Sequence, residues 1–117
     1  MPVELSSQRV LVTGGSSGLG AAVCAALLDH GGRVASIDRR PLPTHSKVIG
    51  VVADLADSEG AERATREAIE ELGGVLDGVV CCAGIDTPGP LETVSRHDWE
   101  RVVAVNLIGT AAVVRAA

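Results

Sequence analysis

Tyrosine and phenylalanine are absent from these 117 residues, and tryptophan and methionine occur once each. The missing tyrosine closes the chain to any mechanism that needs a phenol as proton carrier. Cysteine is scarce too. Cys24, Cys81 and Cys82 are too few for a paired framework, and two adjacent cysteines lack the Cys-x-x-Cys spacing of a metal site. Buried, reduced thiols in a cytoplasmic protein are expected, with no metal centre. Positive charge is in deficit: ten Lys and Arg against 15 Asp and Glu leave a formal charge of −5, which argues against nucleic acid or an anionic membrane as partner. No apolar run reaches the roughly 20 residues of a membrane-spanning helix. The amino-terminal stretch Met1–Val12 carries Glu4 and only a short apolar run, and reads as neither leader peptide nor span.

What is present is a globular chain. With 46% hydrophobic and 21% charged residues it can bury a core, and its length suits one domain over residues 1–117. Arg9–Thr13 is a β-branched apolar run that stops at Gly14 and Gly15, and it reads as a buried strand. Ser17–His30 then carries Leu19, Val23, Ala26 and Leu27 at helical spacing, ended by Gly31 and Gly32. Val34–Asp38 is a second strand, and the two prolines of the stretch from Arg39 to Lys47 make it loop. Val48–Ala53 is a third strand. Asp57 or Ser58 can cap a helix to about Leu72, with Ala61, Ala64, Ala68 and Leu72 as a narrow inner face. Val75–Cys82 is a fourth strand. Ser95 and Asp98 then form a capping-box variant opening a long helix, with Trp99, Val102, Val103, Asn106, Thr110, Val113 and Val114 as its stripe. Apolar strands alternating with helices predict an α/β fold, a doubly wound parallel sheet covered on both faces.

The first turn carries the chemistry. Thr13–Gly20 reads TGGSSGLG, directly between the first strand and the first helix. Gly14 permits a tight turn, Gly18 lets backbone approach a pyrophosphate, and Gly20 lets helix and strand pack closely. Free N–H groups at the helix start, with the helix dipole, suit a diphosphate. Gly15, Ser16, Ser17 and Leu19 belong to the same cradle. A P-loop is excluded, because Ala21 and Ala22 stand where Lys and Ser/Thr are required. Asp38 closes the second strand 18 positions after Gly20, where an acidic residue can accept from the adenosine ribose 2′-hydroxyl and repel a 2′-phosphate. Arg39 and Arg40 oppose that charge. The balance favours NAD over NADP.

These motifs resemble the short-chain dehydrogenases/reductases from about Gln8 to the last residue. TGGSSGLG is similar to the family's TGxxxGxG. Asp54-Leu55 is similar to the aspartate that hydrogen-bonds near the adenine ring. Cys82-Ala83-Gly84, after Cys81, stands where the family has Asn-Asn-Ala-Gly. Asn106, in VAVNLIG, matches the asparagine of the catalytic Asn-Ser-Tyr-Lys set. The resemblance implies a Rossmann-type sheet of strand order 3-2-1-4, a bound dinucleotide, and hydride transfer between nicotinamide and an alcohol or ketone. Two departures stand out. Thiols replace the paired amides and are poor hydrogen-bond partners. The catalytic Ser and Tyr-x-x-x-Lys, which in the family follow the long helix, have no counterpart here.

The expectation is therefore the nucleotide-binding portion of such an oxidoreductase, inactive alone, its ending AAVVRAA read as an interruption without Gly cap or Pro stop. A small-molecule substrate is expected only with the missing half. His30, His45 and His97, each in a loop or at a polar helix end, are expected to be solvated. The alternative is a non-catalytic dinucleotide-binding or partner-binding module, or a half that pairs with a separately encoded second half. The fourth strand and the long helix should bare apolar surface, favouring association or a homo-oligomer.

Overall fold

In a computed structural model, which describes residues 4–117, the chain forms one parallel sheet with helices on both faces. The first three residues of the amino-terminal stretch read above lie outside the described residues. The strands are β1 (Arg9–Thr13), β2 (Arg33–Asp38), β3 (Ile49–Val52) and β4 (Gly78–Cys81), in the order β3-β2-β1-β4. This is the expected topology. Pairing is in register from Arg9 opposite Arg33 to Thr13 opposite Ile37, and from Val10 opposite Gly78 to Thr13 opposite Cys81. The pleat sends alternate apolar residues to two cores. Leu11, Ala35, Ile37 and Val51 join one cluster, while Val10, Val12 and Val34 join the other. Both faces are therefore hydrophobic, as a sheet covered on two sides requires.

Helix α1 (Gly18–Asp29) covers one face. Its buried line is Gly20, Cys24 and Leu27, with Val23 packed beside it, so two of the four expected stripe residues face the core and Leu19 and Ala26 do not. Leu19 is 71% exposed and Ala26 is exposed. The reason lies at Gly20, which must press against Gly14. That contact fixes the helix rotation and turns Leu19, one residue back, away from the sheet.

Helix α2 (Ser58–Glu71) lies on the other face, and Ala61, Ala64, Ala68 and the C-cap Leu72 are buried as expected. Asp57 caps it by accepting the Gly60 N–H at 3.1 Å. The long carboxy-terminal helix is not uniform. It consists of α3 (Arg96–Val103), a π-helical stretch Ala104–Gly109, and α4 (Thr110–Ala116). Ser95 caps its start by accepting the Asp98 N–H at 3.1 Å. Val105, Gly109, Ala112 and Val113 form its buried line, which includes the expected Val113, while Trp99 and Val114 are half exposed. Gly109 is needed there, because a Cβ would run into the Leu55 carbonyl oxygen.

Strand β4 is shorter than the expected Val75–Cys82. Asp77 donates its N–H to the Arg9 carbonyl at 2.8 Å and accepts the Arg9 N–H on its carboxylate at 2.7 Å, so regular pairing starts only at Gly78. Within the described sheet β4 is an edge, and Cys81 at its end is exposed. That corrects the expectation of buried thiols: Cys24 is buried and Cys82 half-buried. Among the described residues no helix is long and apolar enough to cross a membrane.

Candidate functional site

Three chain reversals at the carboxyl ends of β1, β3 and β4 surround one cleft of about 290 Å³. The turn after β1 is stapled to β2. Gly14 N–H donates to the Ile37 carbonyl at 2.8 Å, Gly15 N–H to Ser36 Oγ at 3.0 Å, and Ser16 N–H to Asp38 Oδ2 at 3.0 Å. Ser16 Oγ donates to the Arg40 carbonyl at 2.8 Å. The turn is equally close to β4. Gly14 has φ +76°, and a Cβ on it would lie 2.9 Å from Ala83 N and Cα. Thr13 Oγ1 accepts the Ala83 N–H at 3.1 Å, and the Thr13 carbonyl accepts the Cys82 N–H at 3.2 Å. The end of β4 is thus held by backbone and Thr13, without the side-chain amides that Cys81 and Cys82 replace.

The start of α1 is left open. Ser17 makes no side-chain cap, and the first turn carries no acidic residue. Gly18 has φ +54°, and a Cβ there would meet nothing within 4 Å. The position is an open cradle at a helix N-terminus, where N–H groups and the dipole attract an anion. Most expected cofactor residues line this cleft: Gly14, Ser17, Gly18, Leu19, Gly20, Asp38, Arg39, Asp54, Leu55, Cys82, Ala83 and Gly84. Gly15 and Ser16 stay behind the wall, where they hold the turn onto β2.

Asp38 sits at the rim, half-buried, with Oδ2 accepting from Ser16 N–H and Oδ1 from Arg40 N–H, both at 3.0 Å. A carboxylate has about four acceptor positions, so two remain for another donor. Asp54 carries more charge around it. Its Oδ1 accepts the Ala56 N–H at 2.9 Å, Arg101 Nη2 lies 3.4 and 3.3 Å from its two oxygens, and Arg39 Nε lies 3.8 Å from Oδ2. Partial burial pushes its pKa up, but the Ala56 N–H, Arg101 and Arg39 together outweigh that and hold it below the ordinary value. Burial, then the neighbouring Cys82, push the Cys24 thiol upward, so it is a poor nucleophile.

Asn106 lies in the π-helical stretch and is exposed. Its Nδ2 donates to the Ile85 carbonyl and its Oδ1 accepts the Ile85 N–H, both at 2.8 Å. The amide therefore clamps the segment that leaves the β4 turn. His30, His45 and His97 are exposed and none lines the cleft. His30 Nδ1 lies 2.8 Å from the Ala26 carbonyl, closing its own helix. Sequence reasoning missed Ser36, Ile85, Gly109 and Arg101. A glycine inside a helical pattern was a usable signal for Gly109. Arg101 left none, because its partner Asp54 is 47 residues away.

A family model described as short chain dehydrogenase matches residues 8–117. The acetoacetyl-CoA reductase of Synechocystis is 35% identical over 111 residues, covering 95% of this chain and 46% of that protein. Among solved structures, a short chain dehydrogenase from Leptospira borgpetersenii with bound NAD+ superposes with TM-score 0.84 at 26% identity, over 97% of this chain and 45% of that one. A blue fluorescent protein from a metagenomic library, in complex with NADPH, superposes with TM-score 0.84 at 29% identity, over 98% and 51%. The chain spans about half the length of these relatives.

Proposed function

Because the chain belongs to the short-chain dehydrogenase family, we propose that it is a single, partial dinucleotide-binding domain that holds NAD in the cleft above β1 and β4. The support is the cradle itself: an uncapped helix start, an unobstructed Gly18, and carboxylates at the ends of β2 and β3 around one cavity. The open turn from Ser17 to Gly20 receives the diphosphate. Asp38 receives the adenosine ribose hydroxyls on its remaining acceptor positions, and Asp54-Leu55 flanks the adenine. The backbone from Cys82 to Gly84 lies along the dinucleotide. When bound, nicotinamide supplies or accepts the hydride. Asn106 keeps the Ile85 segment in place beside it.

As part of a longer short-chain oxidoreductase, this domain acts on an alcohol or ketone, with the proton carried by groups outside these residues. The outer edge of β4 and the exposed Leu107, Ile108 and Val114 are where the rest of that fold, or a second copy, packs. One observation favours a second reading, a module that binds nucleotide without turnover: the chain has no tyrosine.

Calorimetric titration with NAD+ and NADP+ tests the proposal. NAD+ binds more tightly, and Asp38→Ser shifts the affinity ratio toward NADP+ by about 1–2 kcal/mol, the scale of one hydrogen bond to a charged group. Tighter binding of NADP+ by the unaltered chain overturns the NAD assignment. Hydride transfer by the 117-residue chain itself, abolished by Asn106→Ala, overturns its inactivity.

A further inference from the structure

Arg39 follows Asp38 directly and lines the same cleft, so a 2′-phosphate beside Asp38 would meet its positive charge. Its guanidinium is already engaged, with Nε 3.8 Å from Asp54 Oδ2. Asp54 is shared. Arg101, reaching across from α3, lies 3.3 Å from the same oxygen, and its side chain is 27% exposed against 61% for Arg39. Arg101 is not among the residues that line the cleft. Two cations thus compete for one carboxylate, and the better-buried one stands outside the site.

We propose that Asp54 and Arg101 tune the discrimination between a ribose 2′-hydroxyl and a 2′-phosphate, by setting how firmly Arg39 is held away from that position. The proposal rests on the dinucleotide reading above. Its physical content is charge sharing. Asp54 draws the Arg39 guanidinium toward itself, so a 2′-phosphate meets Arg39 only in competition with that carboxylate. Arg101 neutralises part of Asp54 and loosens that hold. Removing Asp54 frees Arg39 in the cleft and leaves Arg101 behind it uncompensated, which favours the 2′-phosphate. Removing Arg101 leaves Asp54 to Arg39 alone and also withdraws a positive charge, and both effects disfavour the 2′-phosphate. Arg101 is a positioning residue in this account, acting through Asp54 and Arg39 without touching the ligand.

Any contact of Asp54 with adenine is common to both dinucleotides and cancels in their ratio, so the ratio of dissociation constants is the quantity to measure. NAD+ and NADP+ are titrated calorimetrically into the 117-residue chain at low ionic strength, where exposed pairs are least screened. Asp54→Asn shifts the ratio toward NADP+ by roughly two- to fivefold, the range of exposed ion pairs. Arg101→Met shifts it the opposite way by about twofold on the same scale, and Arg101→Lys, which keeps the charge, restores it. Arg39 is exposed, so Arg39→Ala folds in any event. Alone it shifts the ratio away from NADP+ by about twofold, because a positive charge leaves the cleft, and combined with Asp54→Asn it abolishes the gain. A shift that persists without Arg39, or variants at Asp54 and Arg101 that move the ratio in the same direction, overturns the proposal and leaves the dinucleotide site intact. Failure of the unaltered chain to bind either nucleotide overturns the site and this inference together.

Discussion

Gly14 and Gly18 stand in one turn, four residues apart, and replacing each with alanine should do different things. Both have positive φ, +76° and +54°, so both variants pay the left-handed cost of a Cβ, about 1–2 kcal/mol. Their surroundings differ. The new Cβ at Gly14 lies 2.9 Å from Ala83 N and Cα and 3.1 Å from the Cys82 carbonyl carbon. Those are backbone atoms, pinned by the hydrogen bonds of Thr13 to the β4 turn, and they cannot rotate away as a side chain could. Forcing the two turns apart adds an overpacking cost of about 1–3 kcal/mol. Gly14→Ala should therefore lose roughly 2–5 kcal/mol in all, a large share of the ~5–15 kcal/mol that stabilises an ordinary domain. At Gly18 the new methyl enters open space, so stability falls only by the backbone cost. The methyl instead occupies the volume in front of the helix start. NAD+ affinity should drop about tenfold or more, at least ~1.4 kcal/mol. Urea unfolding without ligand and calorimetric titration with NAD+ separate the two effects. If Gly18→Ala binds NAD+ as tightly as the unaltered chain, no diphosphate sits at that turn. If Gly14→Ala is no less stable than Gly18→Ala, the Gly14–Ala83 approach is not the constraint described.

Asp54 makes stability depend on acid. Its pKa is depressed in the folded state, so its contribution is complete above the ordinary value of 3.8 and is lost as pH falls through the lower folded value. The gap in urea midpoint between the unaltered chain and Asp54→Asn should shrink as pH drops below 3.8, and a gap that widens there contradicts the assigned ion pairs. Asn106→Ala should cost about 1–2 kcal/mol for two lost backbone contacts and speed hydrogen exchange at the Ile85 amide. An unchanged Ile85 exchange rate would show that the clamp does not order that segment.

Strand and helix order, the parallel sheet and the glycine turn were legible in the sequence because each depends on neighbours. Apolar β-branched runs such as Arg9–Thr13 declare buried strands, and glycines break them where backbone must turn. The alanine face of α2 was legible for the same reason, a period of one helix turn facing one flat sheet. The resemblance to the family added the strand order. Periodicity failed where a distant contact decided rotation. Leu19 was read as core, but the approach of Gly20 to Gly14 set the orientation of α1 and sent Leu19 to the cleft rim. Trp99 and Val114 fall outside the buried line because Gly109, pressed against Leu55, faces the core and sets the rotation of the helix. Cys81 became exposed because β4 is an edge of the described sheet.

The sequence by itself determined which residues carry charge and which backbone positions could accept a ligand: an acidic end to β2, another after β3, and glycines at the first turn. Only the tertiary structure decided what each charge is paired with. Asp38 is met by the N–H groups of Ser16 and Arg40, Asp54 by Arg39 and by Arg101 from another helix, and Asn106 by both backbone groups of Ile85. The physical reason is range. Secondary structure follows from neighbours a few residues apart, whereas a hydrogen bond or ion pair acts over a few ångströms in space and joins residues as much as 47 positions apart in the chain.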